Sequence, residues 1–289
     1  MFKKLLLQFA GLMARILPSW VKRAVYDFKP LAGLVRASLN RAVPAGLSAV
    51  SVAAGGLKGA RLSLDLGAEK DYWLGTYELD LQAAVETWVK PGDVVYDVGA
   101  NIGYITLLLS RAVGPDGQVF SFEALPTNIE RLEKNLGLNA WAAGVTIKHA
   151  AVASASSPIN FLVGPSGAMG KAEGSAGRSE GHSESLQVAG IALDDFVYRD
   201  HHPAPDLIKM DIEGGEVLAL AGMPRLLRDA QPIILIELHG HEAARTAWDT
   251  LTAADYSIHQ MASGYPPVDT LDDLDWKAYL VALPRRSLT

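Results

Sequence analysis

Short apolar runs alternate with longer amphipathic stretches along much of the chain, a pattern typical of α/β proteins. The apolar runs are short enough for buried parallel strands, and the stretches that follow most of them have helical length. The predicted strands are Val94–Tyr96, Gln118–Glu123, Val145–Val152, Asp206–Asp211 and Pro232–Glu237. The predicted helices are Tyr104–Val113, one that starts at Pro126, Glu216–Arg228 and Ala243–Ala254. The pattern therefore predicts a mostly parallel sheet with helices on both faces.

Shorter elements complete the prediction. They are strands over 47–52, 57–66, 159–163, 186–188, 256–261 and 278–283, a helical stretch that ends at Val89 and a short helix over 193–198. Residues 164–185 contain six Gly and five Ser in 22 residues and few apolar anchors, so they predict a mobile loop, with a lid over the substrate as an alternative. We divide the chain into an N-terminal cap, 1–71, and a main domain, 72–289.

Residues 1–23 repeat apolar side chains at steps of three and four, with basic residues on the other face. This pattern favours a helix that lies on an anionic membrane surface, and Gln8 and Arg15 argue against a transmembrane span. A helix docked on the protein body or on a second copy in a homo-oligomer is one alternative, and a cleaved signal is another. Residues 27–41 predict a second helix.

Composition and charge exclude several classes of protein. The 289 residues include no Cys, which excludes disulfides, zinc–thiolate sites and a Cys nucleophile. The chain has a net charge of −6, but residues 1–41 carry +7 and the remainder −13. An acidic body argues against nucleic acid as a partner, because phosphate contacts need a basic surface. The composition is otherwise that of an ordinary globular protein, which we expect in the cytoplasm.

A strand, a glycine-rich turn and a helix follow one another in Asp93–Val113, an arrangement that brings a nucleotide-like ligand to the carboxyl end of a sheet. The glycines Gly99 and Gly103 are spaced G-x-x-x-G, whereas dinucleotide folds use G-x-G-x-x-G. Asp97 would repel a pyrophosphate but could bind an amine or a hydroxyl. Glu123 ends the next strand, where an acid binds ribose hydroxyls in nucleoside-binding folds. A tight turn without a ligand is the alternative.

Four motifs together resemble the FkbM family of S-adenosylmethionine-dependent methyltransferases. They are Asp97–Gly103, Phe122-Glu123-Ala124, Leu193-Asp194-Asp195-Phe196 and Ile208–Gly214, and the resemblance covers roughly Trp73 to Met261. The chain departs from the family at Ala124, where the family usually has Pro. The resemblance implies a Rossmann-like class I methyltransferase fold with a seven-stranded, mostly parallel sheet, and S-adenosylmethionine as cofactor.

The resemblance also implies cofactor-binding roles for residues of this chain. The set is Glu78, Asp97, Gly99, Asn101, Gly103, Glu123, Ala151 and Asp211. The turn from Asp97 to Gly103 would hold the methionine part, Glu123 the ribose, and the backbone around Ala151 the adenine. Glu78 belongs to a segment expected near the cofactor or the mouth of the site.

Methyl transfer to a hydroxyl needs alignment, exclusion of water and removal of a proton. Acids and histidines therefore matter where strands four and five end: Asp211, Glu213, Glu237, His239 and His241. We predict His239 as the general base, because an unperturbed imidazole titrates near neutral pH. Asp211 and Glu237 would hold the cofactor's ammonium, orient His239 or share Mg²⁺. No metal ligands are assigned, and solvent-facing strand ends are the alternative for the histidines.

The predicted reaction is methylation of a hydroxyl on a sugar, a glycan or another small molecule. No Asn-Pro-Pro-Tyr or Asp-Pro-Pro-Tyr run follows strand four, which argues against the exocyclic amines of nucleic-acid bases. The basic helix favours a lipid-linked sugar or a lipopolysaccharide precursor at the inner membrane surface. Two other functions stay open, a nicotinamide-dependent oxidoreductase and a non-catalytic cofactor-binding module tethered through residues 1–23.

Overall fold

A computed structural model describes residues 46–164, 170–176 and 184–285, together with 10–14, 16, 17, 21, 28, 33 and 43. The chain forms two compact units. The first contains residues 1–82 and 134–140, and the second contains 83–133 and 141–289. In this division residues 72–82 and 134–140 belong to the first unit, and the boundary predicted between residues 71 and 72 stays a prediction.

The first unit is built around the predicted pair of strands. β1 (Leu47–Ser51) pairs antiparallel with β2 (Arg61–Asp65), and helix α1 (Lys70–Leu74) follows. Two asparagine side chains extend the hydrogen bonding of β2: Asn135 Oδ1 accepts from Ser63 N at 2.7 Å, and Asn139 Oδ1 accepts from Arg61 N at 3.0 Å.

Most of the predicted helices over 1–23 and 27–41 lies outside the described residues, although residues 10–14 and 16 are helical. In the part of the chain that the structure describes, no helix is both long enough and apolar enough to cross a membrane.

The remaining strands and helices follow the predicted alternation closely. The strands are β3 (Val94–Val98), β4 (Gln118–Glu123), β5 (Val145–His149), β6 (Ala151–Val152), β7 (Pro158–Val163), β8 (Gly170–Ala172), β9 (Glu184–Ile191), β10 (Leu207–Met210), β11 (Ile233–His239), β12 (Tyr256–Gln260) and β13 (Lys277–Pro284). The helices are α2 (Leu79–Trp88), α3 (Tyr104–Val113), α4 (Pro126–Gly137), α5 (Glu216–Ala221), α6 (Pro224–Asp229) and α7 (His241–Ala253).

The main sheet of the second unit has seven strands in the order β12-β13-β11-β10-β3-β4-β5. The strands from β11 to β5 are parallel to their neighbours, and β13 runs antiparallel to both β11 and β12. The sheet confirms the predicted Rossmann-like class I methyltransferase fold. Its central strands are buried on both faces, which explains why they read as continuous apolar runs.

A second sheet, in the order β6-β9-β7-β8, accounts for two differences from the prediction. The strand predicted over 145–152 divides at Ala150, because β5 pairs with β4 whereas β6 pairs with β9. β8 lies inside the loop predicted over 164–185 and pairs with β7, and Ala172 and Ala176 are buried. Residues 165–169 and 177–183 of that loop lie outside the described residues.

The helix predicted over 216–228 is interrupted. It forms α5 and α6, separated at Gly222 and Met223. A Cβ atom on Gly222 would lie 2.1 Å from Ala153 O, and Pro224 has no N–H to continue a helix. The backbone passes close to β6 here, so a continuous helix would not fit.

Candidate active site

The glycine-rich turn between β3 and α3 is held against both neighbouring strands. Gly99 N and Ala100 N both donate to Phe122 O, each at 3.0 Å. Gly99 has φ +83°, and a Cβ atom there would lie 2.0 Å from Asp211 O. At Gly103, with φ +88°, a Cβ atom would lie 2.4 Å from Leu132 Cδ1, the end of a flexible side chain. The backbone conformation therefore favours glycine at both positions, and the close approach to backbone adds to this at Gly99.

Asp97 is fully buried beneath this turn. Its Oδ2 accepts a hydrogen bond from Thr106 Oγ1 at 2.6 Å, and its Oδ1 lies 3.5 Å from Lys209 Nζ. Lys209 Nζ also donates to Gly99 O at 3.1 Å. The carboxylate and the ammonium thus tie β3, β10 and the turn together. The cofactor contact predicted for Asp97 stays a prediction.

Glu123, at the end of β4, connects the turn to the start of α4. Its Oε2 accepts from Asn101 N at 2.8 Å, and its Oε1 accepts from Ala124 N at 3.0 Å and Leu125 N at 2.9 Å. Burial raises the pKa of this carboxyl, against the opposing effect of the backbone hydrogen bonds. Asn101 adopts a left-handed conformation with φ +48°, which directs its N–H towards Glu123.

The predicted adenine segment lies next to Glu123. Ala150 N donates to Glu123 O at 2.9 Å, and Ala151 is buried in β6 opposite Gly190. His149 Nε2 lies 3.0 Å from Ala124 O, so this side chain is part of the local hydrogen bonding. The structure therefore places Gly99, Asn101, Glu123 and Ala151 along one side of the carboxyl edge of the sheet.

The predicted catalytic residues meet on the other side of that edge. His239 Nε2 lies 3.0 Å from Glu237 Oε1 and 3.8 Å from Asp211 Oδ1. It also lies 3.8 Å from Glu213 Oε2. Glu237 and His239 are nearly buried at the end of β11, whereas Asp211 is about a quarter exposed, with 24% of its side-chain surface accessible. Asp211 N donates to Val98 O, so this cluster adjoins the glycine-rich turn.

Two further residues complete the cluster, and the sequence did not reveal either of them. Glu216, fully buried in the first turn of α5, lies with its Oε1 3.2 Å from His239 Nδ1 and accepts hydrogen bonds from Ile212 N and Gly214 N. Lys277 on β13 pairs in register with His239, and its Nζ contacts Glu237 Oε1. An acid just after the strand-four motif was a signal for Glu216, but nothing local pointed to Lys277.

The cluster changes the protonation of His239. Burial opposes a charged imidazole, but hydrogen bonds to Glu216 and Glu237 and the charges of Glu216 and Asp211 outweigh it and raise the pKa of His239 to about 10. Burial acts to raise the pKa of Glu237, but the hydrogen bonds and charges of His239 and Lys277 outweigh it and lower this pKa. These contacts favour the protonated form of the His239 ring, and the general-base role predicted for His239 stays a prediction.

The other predicted residues lie apart from this cluster. His241 is the exposed first residue of α7. Glu78 belongs to the first unit, directly before α2, and has φ +45°. Its predicted role at the cofactor stays a prediction.

A seven-stranded sheet with one reversed strand, a glycine-rich turn after its central strand and acids at its carboxyl edge is the architecture of class I methyltransferases. The family model of the methyltransferase FkbM domain matches residues 97–258, more than half of the chain. The chain belongs to this family.

One curated relative and two solved structures illustrate the similarity. Hexuronic acid methyltransferase AglP of Haloferax volcanii is 32% identical over 148 residues, which cover 51% of this chain and 56% of that protein. The chain thus matches little more than half of this relative's length. Methyltransferase FkbM of Methylobacillus flagellatus has 18% identity and a TM-score of 0.43, with 75% of this chain and 53% of that one covered. Precorrin-6y C5,15-methyltransferase of Geobacter metallireducens has 14% identity and a TM-score of 0.42, with 72% and 89% covered.

Proposed function

We propose that the protein transfers the methyl group of S-adenosylmethionine to a hydroxyl oxygen of a sugar, either free or within a glycan. The observation that carries the proposal is the cluster of Asp211, Glu237 and His239 beside the glycine-rich turn. Methyl transfer is an in-line displacement, so the acceptor oxygen has to lie next to the bound cofactor. Charged groups at that position would bind and orient a hydroxyl.

The proposed cofactor site uses the turn and the edge of the sheet beside it. Gly99, Asn101 and Gly103 would hold the methionine part, Glu123 the ribose, and the backbone at Ala151 the adenine. Asp97 would act mainly by fixing the turn, since it is buried and bonded to Thr106 and Lys209. Asp211 would contribute to both the cofactor and the acceptor sides.

A general base at His239 has to be neutral when it accepts the proton of the acceptor hydroxyl, whereas the carboxylates around the ring favour its charged form. We therefore assign His239, with Asp211 and Glu237, mainly to binding and positioning at the acceptor oxygen.

The sugar acceptor is supported by the hexuronic acid methyltransferase that matches half of this chain. The acidic body of the protein argues in the same direction, since it disfavours nucleic acid. The basic residues within 1–23 would bring the protein to a lipid-linked sugar at the inner membrane surface. Membrane fractionation tests this last part: a chain without residues 1–23 should leave the membrane fraction, and unchanged fractionation would contradict it.

Calorimetry and a transfer assay test the proposal in sequence. We expect micromolar binding of S-adenosylmethionine and S-adenosylhomocysteine and none of NAD⁺, which would exclude an oxidoreductase. Radiolabelled methyl transfer to a panel of glucuronides, glucosides and lipid-linked sugars should then show at least one acceptor. Binding of both sulfur nucleosides without transfer to any acceptor would favour a binding module, and absence of binding would contradict the proposal.

A further inference from the structure

We propose that Asp211, Glu237 and His239 form a binding site for one divalent transition-metal ion, such as Mn²⁺ or Zn²⁺. Each residue offers one ligand atom, and the three atoms lie within 4.8 Å of one another. An ion at this point would lie where the proposed function places the acceptor oxygen, so the inference rests on that function and extends it. Its chemical role would be to hold that oxygen and to favour release of its proton to water, while the methyl group leaves the sulfonium for the oxygen and S-adenosylhomocysteine departs.

The histidine is oriented as metal-binding histidines usually are. Its Nδ1 lies 3.2 Å from Glu216 Oε1, while its Nε2 faces the carboxylates of Asp211 and Glu237. Metal-ligating histidines typically donate one ring N–H to a carboxylate, which fixes the ring and directs the other nitrogen to the ion. Glu216 is itself fixed by the N–H groups of Ile212 and Gly214, so this support is rigid.

A buried oxygen gives a second, independent indication. Glu216 is completely buried, and among the described residues its Oε2 has no hydrogen-bond partner. Burying a carboxylate with an unsatisfied oxygen is costly unless a positive charge nearby compensates for it. With the His239 ring neutral, donating its Nδ1–H to Glu216, a cation at Nε2 would supply that charge in place of the second ring proton.

The charge balance points the same way. Asp211, Glu213, Glu216 and Glu237 all lie within 3.8 Å of the His239 ring nitrogens, and the Lys277 ammonium contacts one of these carboxylates, that of Glu237. Lys171 also acts electrostatically on Glu213. A divalent ion would offset the excess of negative charge.

The donor set favours one class of ion. Mg²⁺ prefers oxygen ligands in a near-octahedral shell, whereas one imidazole nitrogen with two carboxylates suits Mn²⁺ or Zn²⁺. The Mg²⁺ that two strand-end carboxylates permit on sequence grounds therefore fits less well once His239 joins them.

Lys277 would compete with the ion. Its Nζ contacts Glu237 Oε1, the oxygen that also faces His239 Nε2, and nearly half of its side-chain surface is exposed. The ammonium can therefore move into solvent when an ion binds. The proposal thus predicts that Lys277→Met increases metal affinity, a result that a purely structural ion-pair network would not produce.

Metal binding by the full chain tests the proposal. The protein is stripped with EDTA, dialysed and titrated with Mn²⁺ by electron paramagnetic resonance and with Zn²⁺ by calorimetry. We expect one equivalent of at least one ion in the wild type, about tenfold or greater weakening in His239→Gln and Asp211→Asn, and tighter binding in Lys277→Met. Asp249→Asn, which removes an exposed carboxylate from α7, should bind as the wild type does.

S-adenosylhomocysteine binding, measured on the same samples, shows whether each variant is folded and separates the two proposals. No stoichiometric metal uptake by a wild type that binds S-adenosylhomocysteine would overturn the metal site and leave the function standing. Equal metal binding by wild type and His239→Gln would also overturn it. Metal uptake without S-adenosylhomocysteine binding would support the site and contradict the proposed function.

Discussion

Buried carboxylates are stabilised by different groups on the two sides of the sheet's carboxyl edge. On the side of the glycine-rich turn, Glu123 accepts hydrogen bonds from three backbone N–H groups. On the side of the cluster, four carboxylates surround one histidine, and one oxygen of Glu216 has no hydrogen-bond partner within the described structure. On the first side, backbone N–H groups compensate for the buried carboxylate of Glu123, whereas the second side holds an excess of negative charge.

The two sides therefore differ in which part of the chain would contact a ligand, the backbone on the turn side and side chains on the cluster side. The turn side is preorganised by backbone geometry, which suits a cofactor that every catalytic cycle uses in the same way. The cluster side instead depends on side chains that β10, β11, β13 and α5 bring together. Mutations should therefore affect binding of the cofactor on one side and turnover on the other.

Gly99→Ala should have the largest effect, because the new Cβ atom would lie 2.0 Å from Asp211 O at a residue with φ +83°. The turn and the start of the cluster would both move, and S-adenosylhomocysteine affinity should fall by about 100-fold or more. Calorimetry measures this loss. Gly92→Ala is the matched control, since Gly92 has φ +92° and no atom within 4 Å of the added Cβ. Equal binding by the two variants would contradict the close packing argued for the turn.

Glu216→Gln should have the second-largest effect, and this effect should be on kcat. The change removes the charge behind His239 Nδ1 while it keeps the size of the side chain, so we expect kcat to fall about 10–100-fold. The affinity for S-adenosylhomocysteine should stay within about twofold, because the hydrogen bonds of Glu216 in the described structure join it to Ile212, Gly214 and His239 and not to the glycine-rich turn. Steady-state kinetics and calorimetry separate these effects, with Glu130→Gln on the exposed face of α4 as control. A loss of cofactor affinity as large as the loss of kcat would show that the two sides are not separable.

The turn side was predictable from the sequence because its signals are local. Gly99, Asn101, Gly103 and Glu123 follow strands whose apolar runs mark their ends, and β3, β4 and α3 begin and end within two residues of the prediction. The cluster was predictable only in part. Asp211, Glu237 and His239 could be assigned to the same edge, but Lys277 joins them through the register of β13, a pairing of distant segments that no local pattern encodes.

Glu123→Gln tests the turn side with a smaller change. The Gln side chain has an NH2 donor in place of one carboxylate oxygen. At least one of the backbone N–H groups of Asn101, Ala124 and Leu125 therefore loses its acceptor. The free energy of unfolding should fall by about 1–3 kcal/mol, and S-adenosylhomocysteine affinity by about tenfold. Chemical denaturation and calorimetry measure the two quantities. Unchanged stability would mean that Glu123 does not hold the turn in place.

The smallest expected effect concerns His202, a histidine that belongs to neither side. Its pKa is lowered by folding, whereas that of His239 is raised, so protonation of His202 should destabilise the folded state. His202 stacks on Phe196 with ring centroids 3.9 Å apart, and burial, together with the charge of Lys148, lowers its pKa. Since the folded state holds the neutral ring, stability should be complete above the unfolded pKa of about 6.5 and should decrease as the pH falls through the lower folded value. The loss should be under about 1 kcal/mol between pH 7 and pH 5. His202→Phe keeps an aromatic ring on Phe196 and should lack this part of the pH dependence, which paired urea denaturation curves at the two pH values would show. A steeper loss of stability in His202→Phe than in the wild type would mean that protonation of His202 favours folding, as it does for the raised pKa of His239.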